Sequence, residues 1–388
     1  MNVLLESTLQ QIHASPHMLA MNFAGAGVNA LTWLHSIGGS SKTILEACDR
    51  YCPKSLIETV GFEPKRFTSK KVSLALANAA YKRAKYLAPK DTPVFGVGAT
   101  ATIATDRKKR GQHRCQVAIK DVLGVSHYGL VLKKGARNRY EEERIVSQII
   151  IRAVTESCGV YAYDHIVLVD GERLEHNFIA TPKLVEWQNR DNALLVINKN
   201  TKLEIKDKME NIVVLSGSFN PLHSGHKKLK ELVEKQTNSQ VYFELALQNA
   251  DKNAIDLIEA RKRAKQFLGY APLILSKSPL FSEKAKLFPN SKFVLGADTA
   301  TRLVDKKYYN NDENLLLAAL EELDNLGSSF LVAGRSHKEE FQTLADINIP
   351  IKFKNLFTQI PEYQFHEDIS STQIRTEIMQ EQKLNDNF

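Results

Sequence analysis

Residues 212–226 read IVVLSGSFNPLHSGH, and this stretch decides the fold of the C-terminal half. The apolar run from Ile212 to Leu215 predicts a buried strand, which ends at the small residues Ser216 to Ser218. A helical pattern begins near Gly225, with apolar residues on one face. The stretch therefore predicts a strand, a tight loop and a helix. This arrangement points backbone N–H groups and the positive end of a helix dipole at a phosphate.

Two histidines stand where this loop becomes the helix. Gly217 allows a ligand to approach the backbone closely, and His223 and His226 follow at the junction. Imidazoles and backbone N–H groups can stabilise negative charge that develops on a phosphate. The alternative is a surface turn with two incidental histidines, but it does not explain why glycine, serine, proline and both histidines share one junction. The pattern indicates phosphoryl or nucleotidyl transfer.

A second motif, ISSTQIR, occupies residues 369–375 near the C-terminus. Ser370 is followed three residues later by a glutamine, which predicts a capping box at the start of a helix. The N–H groups of that first turn, the hydroxyls of Ser371 and Thr372, and the guanidinium of Arg375 can all face one anion. A helix cap alone would explain the serines but not the arginine on the same face.

Both motifs resemble those of a known family. The first resembles the (H/T)xGH signature of nucleotidylyltransferases, and its longer form is similar to the nicotinamide-mononucleotide adenylyltransferase branch; the second matches that family's ISSTxIR pattern. The resemblance implies ATP and nicotinamide mononucleotide as substrates, NAD⁺ and pyrophosphate as products, and Mg²⁺ bound through the ATP phosphates rather than by protein ligands. It makes His223 and His226 the catalytic residues. The phosphate-binding residues that it implies are Gly217, Ser218, Phe219, Ser370, Ser371, Thr372, Arg375 and Arg335.

Further segments of the C-terminal half are similar to the same family. Asp298 ends a strand and resembles the aspartate of a GAD segment that faces bound nucleotide, although a helix N-cap is the alternative. Asn249 and Lys252 resemble the position where a lysine reaches the mononucleotide phosphate; a solvated loop lysine is the alternative. Arg335 resembles an adenine-side arginine. Phe281 fits either a nicotinamide-stacking ring or the core.

The regular alternation of elements in residues 212–388 predicts a doubly wound parallel sheet of nucleotidylyltransferase type, with its site at the carboxyl ends of the strands. We expect an N-terminal α/β domain over 1–165, then a hairpin and connector over 166–211. The hairpin strands are predicted at 193–197 and 203–205. The elements predicted beyond them are strands 212–216, 240–246, 272–275, 292–296, 328–333 and 350–353, and helices 225–236, 254–268, 312–324 and 371–381.

The N-terminal half resembles a different family. A glycine-containing run from Gly96 to Arg114 fits a loop between two strands and precedes an alternating strand at 115–119. Helices are predicted at 69–87 and 138–157. The run resembles the CinA C-terminal domain, which has the nicotinamide-mononucleotide amidohydrolase fold, and the likeness covers roughly residues 1–160.

The catalytic residues of that amidohydrolase family are missing here. The family has a serine nucleophile in an ESCTGG-like loop, but the corresponding loop from Asn22 to Gly27 contains no hydroxyl or thiol. Tyr51 stands at the family's tyrosine position, while Leu56 replaces its lysine. Without a nucleophile or its base there is no covalent acyl transfer. We therefore expect a catalytically inactive CinA-like domain, and leave open whether it keeps a nucleotide pocket.

Composition limits the remaining functions. The four cysteines are too few for a disulfide scaffold, no apolar run approaches the ~20 residues of a membrane span, and the first 20 residues contain no Lys or Arg. We expect a soluble, cytoplasmic protein and leave an organellar location open. The net charge is +8, but the densest basic cluster, residues 107–110, lacks aromatic residues for base stacking, so nucleic acid is not an expected partner.

Three alternatives to the proposed reaction stay open. A cytidylyltransferase for phospholipid head groups shares the HxGH motif, although its second motif reads RTxGISTS and the ISSTQIR of this chain argues against it. Another adenylyltransferase could act on phosphopantetheine or flavin mononucleotide. The chain could also be a non-catalytic, nucleotide-binding subunit. Whether it forms a homo-oligomer or part of a larger assembly is equally open.

Overall fold

A computed structural model describes residues 3–106, 110–160, 166–248, 254–337, 340–366 and 371–385. The chain divides into two compact units. Unit 1 consists of Met1–Val185 with Ala264–Tyr270, and unit 2 of Glu186–Arg263 with Ala271–Phe388. In the described residues of each unit, one large sheet is packed against helices.

The bounds of the helices and strands are as follows. The first half of the chain forms α1 (Val3–Ala14), β1 (Met18–Ala24), α2 (Val28–His35), β2 (Ile44–Asp49), α3 (Pro53–Val60), α4 (Lys70–Leu87), β3 (Val94–Thr102), β4 (His113–Lys120), β5 (Gly124–Leu132), α5 (Arg139–Ser157), β6 (Glu175–Ala180), α6 (Pro182–Gln188), β7 (Leu194–Ile197) and β8 (Leu203–Lys206). The second half forms β9 (Val213–Ser216), α7 (Ser224–Thr237), β10 (Val241–Ala246), α8 (Leu257–Lys265), β11 (Leu273–Ser276), α9 (Phe281–Leu287), β12 (Lys292–Gly296), α10 (Ala297–Val304), α11 (Glu313–Asn325), β13 (Ser329–Ala333), β14 (Arg335–His337), β15 (Glu340–Gln342), β16 (Phe357–Ile360) and α12 (Ser371–Asn385).

Unit 1 has a six-stranded mixed sheet in the order β2-β1-β3-β4-β5-β6. Strand β1 is parallel to both of its neighbours, and the remaining pairs are antiparallel. The predicted helices at 69–87 and 138–157 are confirmed as α4 and α5. Ser69 caps α4, and Asn138 opens α5 in a capping box with Glu141, so each helix begins where its side-chain cap satisfies the free N–H groups.

We expected a loop at the glycine-containing run, but residues 96–98 lie within strand β3. A Cβ atom on Gly96 would lie 2.0 Å from the backbone nitrogen of Tyr81 in α4, and one on Gly98 would lie 2.3 Å from that of Ala77. These glycines therefore allow α4 to pack directly on the strand rather than breaking it.

Unit 2 has an eight-stranded sheet in the order β16-β13-β12-β9-β10-β11-β7-β8. All strands from β16 to β11 are parallel. The chain proceeds outward from β9 through β10 to β11 and then returns to β12 on the other side of β9. The predicted doubly wound α/β fold is confirmed, and its direction reverses between β9 and β12, which is where such sheets bind ligands.

Two predictions for this half differ from the structure. The hairpin at 193–205 is confirmed, but it is not part of a separate connector: β7 pairs antiparallel with β11, and all four of its residues are buried. The predicted strand at 350–353 is wrong. That apolar segment forms a 3₁₀ helix, Ile351–Leu356, and the edge strand is the following segment, β16. Within the described residues, no helix combines the length and apolar character needed to cross a membrane.

Candidate active site

The loop that follows β9 is held by contacts within the loop and with strand β10. The Gly217 N–H donates to the Glu244 carbonyl at 3.0 Å, and a Cβ on Gly217 would lie 2.7 Å from the Phe219 ring. Phe219 has a φ of 45° and is fully buried, with its ring edge-on to Phe243 and His226 at 5.2 and 5.1 Å. Burial of the ring offsets the cost of a left-handed conformation at a non-glycine residue. The buried Phe219 side chain is therefore one anchor of the loop.

The two predicted histidines lie together at the start of α7. His223 is the N-cap of α7, and His226 is the third residue of that helix. The His223 backbone N–H donates to Nδ1 of His226 at 3.3 Å, and the ring centroids are 3.8 Å apart. Because Nδ1 of His226 accepts a hydrogen bond, a neutral His226 carries its proton on Nε2. His226 can therefore donate that hydrogen bond to a ligand.

The second motif contacts the first. Ser371 begins α12, and its hydroxyl donates to the Pro221 carbonyl at 2.8 Å, although the two residues are 150 positions apart in the sequence. Nη1 of Arg375 donates to the Asn220 carbonyl, and Nη2 donates to Oγ1 of Thr372 at 3.0 Å. Ser370 lies outside the described residues, so the predicted capping box stays a prediction. The structure thus brings Ser371, Thr372 and Arg375 to the loop that carries the histidines.

The other predicted site residues follow neighbouring parallel strands. Asp298 lies in the first turn of α10, directly after β12, whose partner is β9. The N-cap of that helix is Gly296, so the N-cap alternative for Asp298 is wrong. Arg335 begins β14, two residues beyond the end of β13. Asn249 and Lys252 follow β10 and lie outside the described residues.

An arginine on α8 also reaches the loop, although no sequence motif points to it. Nη1 of Arg263 donates to the Ser218 carbonyl at 3.0 Å, while its Nε lies 2.7 Å from the Glu259 carboxylate one turn earlier. The basic run RKRAK at 261–265 indicates only a charged helix. The spacing does not reveal which of its cations faces the loop.

A buried ion pair supports the strand to which the loop is bonded. The carboxylate of Glu244 accepts hydrogen bonds from Lys284, at 2.7 Å, and from the Ser276 hydroxyl. Glu244 is fully buried and Lys284 nearly so. Phe281 packs edge-on to Phe293 at 5.5 Å, so of its two predicted roles the structure favours the core.

The loop that follows β1 in unit 1 has a different environment. Gly25 has a φ of 91°, and a Cβ there would lie 2.1 Å from the Ala101 carbonyl oxygen. The N–H groups of Gly27 and Asn29, at the start of α2, donate to the carboxylate of Glu143 at 2.9 and 3.1 Å. A carboxylate from the same chain therefore occupies the N-terminus of this helix.

The structure shows the surroundings of the two residues that stand at the amidohydrolase family's catalytic positions. Leu56 is buried and packs with Val72 and Leu76, which explains an apolar residue there. Tyr51 has 70% of its surface exposed. A hydroxyl does lie near the Glu143 carboxylate: the Ser147 Oγ donates to it at 3.2 Å. No sequence pattern points to Glu143 or Ser147 as neighbours of this loop.

Residues 214–377 match a family model described as Cytidylyltransferase-like. This range contains both histidines, Asp298 and the described part of the second motif. The match supports a nucleotidyltransferase-type domain in this part of the chain. The comparison with curated proteins gave no match.

Solved structures resemble about two fifths of the chain. The competence/damage inducible protein CihA from Agrobacterium tumefaciens is 16% identical with a TM-score of 0.32, and the match covers 40% of this chain and 96% of that chain. A competence or damage-inducible protein from Enterobacter asburiae is 8% identical with a TM-score of 0.32, over 40% and 98% of the two chains. A CinA superfamily protein from Escherichia coli is 15% identical with a TM-score of 0.28, over 39% and 84%. At these TM-scores the specific CinA-like fold of the N-terminal half stays a prediction.

Proposed function

We propose that this protein is a nucleotidylyltransferase that transfers AMP from ATP to nicotinamide mononucleotide, giving NAD⁺ and pyrophosphate. The observation that supports this most directly is the contact between the two motifs. Ser371 and Arg375 of ISSTQIR bond to the loop that leads into His223 and His226. Hydroxyls, a guanidinium, two imidazoles and a helix N-terminus then converge on one place, which suits a polyphosphate.

The reaction needs alignment more than covalent participation by the protein. An oxygen of the acceptor 5′-phosphate, already ionised at pH 7, attacks the α-phosphorus of ATP, and the bond from that phosphorus to the bridging oxygen of pyrophosphate breaks. No general base is required. The protein has to hold two anions in line and stabilise the charge that moves onto the α-phosphate and the leaving group.

Each set of residues has a role in this scheme. The loop from Gly217 to Phe219 holds the acceptor phosphate through its Ser218 and Phe219 backbone, since the Gly217 N–H bonds to the Glu244 carbonyl. His226 donates from Nε2 to the α-phosphate, with His223 beside it at the bridging oxygen. Ser371, Thr372 and Arg375 hold the β- and γ-phosphates.

Three other assignments complete the proposal. The carboxylate of Asp298 contacts the acceptor nucleoside, and Arg335 lies on the adenine side. The role of Asn249 and Lys252 toward the mononucleotide phosphate rests on the family resemblance alone. Mg²⁺ would be bound through the ATP phosphates rather than by protein ligands, and would neutralise part of their charge.

A matrix of nucleotides and acceptors tests the proposal. ATP or CTP is combined with nicotinamide mononucleotide, flavin mononucleotide, phosphopantetheine or phosphocholine, and pyrophosphate release is measured. We expect ATP with nicotinamide mononucleotide to be the fastest pair, and a His223→Ala/His226→Ala double variant to be inactive. The fastest turnover with CTP or with another acceptor would replace the proposed substrates. ATP binding without turnover in any pair would favour the non-catalytic subunit.

A further inference from the structure

Arg263 stands apart from both sequence motifs, yet it bonds to the first of them. Its side chain is 12% exposed, and it bridges the Glu259 carboxylate and the Ser218 carbonyl. Asp256 accepts a hydrogen bond from the Glu259 N–H at 2.8 Å and so caps the start of α8. The guanidinium is therefore fixed at both ends, to a capped helix and to the loop.

Side chains from two helices hold three carbonyls of this loop. Arg263 of α8 binds the carbonyl of Ser218, while Arg375 and Ser371 of α12 bind those of Asn220 and Pro221. The C=O and N–H of a planar trans peptide point in opposite directions. Holding the Ser218 carbonyl toward α8 therefore turns the N–H of Phe219 away from α8.

We propose that Arg263 is a positioning residue, which fixes the Ser218–Phe219 peptide so that the loop presents its backbone to the acceptor phosphate. This inference rests on the nucleotidyl transfer proposed above. The Glu259 carboxylate offsets much of the guanidinium charge, so Arg263 acts chiefly through its hydrogen bond to the loop. Arg263 acts through the loop and contacts no reacting atom in this scheme.

The position of the contact predicts a selective kinetic effect. The loop holds the acceptor phosphate, whereas α12 holds the polyphosphate of ATP. An Arg263→Met variant should therefore raise KM for the mononucleotide acceptor by about tenfold or more, while KM for ATP changes by less than about threefold. A loss of overall folding would not separate the two substrates in this way.

Three further variants of the full-length chain sharpen the test. Arg263→Lys can still donate to the Ser218 carbonyl and should recover most of the acceptor affinity. Glu259→Gln, which removes only the outer anchor, should have a smaller effect than Arg263→Met. Lys230→Met is the matched control, because Lys230 forms an i,i+4 pair with Glu234 on α7 and is 13% exposed; its two KM values should stay within about twofold of wild type.

Amide hydrogen exchange of residues 217–220 and 222 gives a readout that does not depend on catalysis. Exchange in this segment should be about tenfold faster in Arg263→Met, with little change in β9 or in the Lys230→Met control. Equal exchange rates in wild type and Arg263→Met, or equal increases in both KM values, would overturn the inference. If wild type releases no pyrophosphate with any acceptor, the proposed function fails, and the exchange comparison still decides whether Arg263 positions the loop.

Discussion

The two units each contain a glycine loop between a parallel strand and a helix, but their neighbours supply opposite charges. In unit 1 the N–H groups of Gly27 and Asn29 bind the carboxylate of Glu143. In unit 2 the loop carbonyls bind the guanidinium groups of Arg263 and Arg375. A glycine loop of this kind becomes an anion site only if the helices packed against it leave its N–H groups accessible and add positive charge.

The charge environment of the unit 1 loop is consistent with this view. Burial raises the pKa of the Asp49 carboxyl, and the negative charge of Glu143 raises it further. A substrate phosphate would meet these two carboxylates and would have to displace Glu143 from the start of α2. The α2 N-terminus is stabilised by a charge of its own chain and is not organised for an external anion.

The largest effect that we expect comes from the imidazole in the unit 2 loop. His226→Ala should lower kcat by about 10²-fold or more, because its Nε2–H would stabilise charge that grows in the transition state. ATP affinity should change less. Single-turnover rates measure this directly, with His35→Ala, an exposed histidine in α2 of unit 1, as the control. A rate within about twofold of wild type would remove the assigned role and with it the functional contrast between the loops.

Arg375 tests whether the positive charge beside the loop binds substrate or serves only the fold. Arg375→Ala should weaken ATP binding by about 1.5–3 kcal/mol, the contribution of a hydrogen bond between charged groups. AMP lacks the β- and γ-phosphates, so its affinity should barely change. Calorimetric titrations with both nucleotides distinguish the roles. Equal losses for ATP and AMP would mean that Arg375 acts only by holding the Asn220 carbonyl.

The sequence predicted most elements of unit 2 because their patterns are local. Strand 292–296 agrees with β12 at both ends, and the helix predicted at 225–236 differs from α7 by one residue at each end. The segment 350–353 failed because its apolar residues fit a strand and a 3₁₀ helix equally well. The site residues that were missed depend on tertiary contacts. Neither Arg263 in a basic helix nor Glu143 in α5 has a sequence signal that shows which loop it will face.

Unit 1 buries ionisable groups that affect its stability rather than a reaction. The pH dependence of unfolding tests this difference between the two units. Burial, with a smaller effect of Lys265, lowers the pKa of His17 to about 3. Both ring nitrogens of His17 are buried without a hydrogen-bond partner. Below pH 6.5 His17 becomes protonated in the unfolded chain but stays neutral in the folded protein. The free energy of unfolding therefore decreases as the pH is lowered from 6.5 to about 3, by up to about 1.4 kcal/mol per pH unit.

A His17→Leu variant should therefore lose less stability than wild type between about pH 6.5 and 4.5. His127, whose pKa burial lowers to about 4, is present in both proteins and contributes equally. Thermal unfolding measured across this pH range gives the two slopes. Parallel slopes would show that His17 becomes protonated in the folded protein, and that the buried part of unit 1 is less closed than the structure indicates.

The last expected result is negative: the protein should release no ammonia from nicotinamide mononucleotide. The loop from Asn22 to Gly27 offers no nucleophile, and Leu56 cannot act as a base. The full-length chain is the right sample, because unit 1 includes Lys265, which pairs with buried Asp121 at 3.0 Å. A fragment ending at residue 205 would remove Lys265 from this buried ion pair, which is destabilising.

The ammonia assay also tests whether the unit 1 loop is closed, since Ser147 lies beside Glu143 and carries a hydroxyl. Wild type, Tyr51→Phe and Ser147→Ala should all give the background rate. Ammonia release by wild type that Ser147→Ala abolishes would make this serine the nucleophile and would show that substrate displaces Glu143 from the helix N-terminus. Release that only Tyr51→Phe abolishes would place the chemistry at the exposed tyrosine. Only the Ser147 result would mean that the unit 1 loop also binds a nucleotide phosphate, with the Glu143 carboxylate a displaceable group rather than a permanent cap.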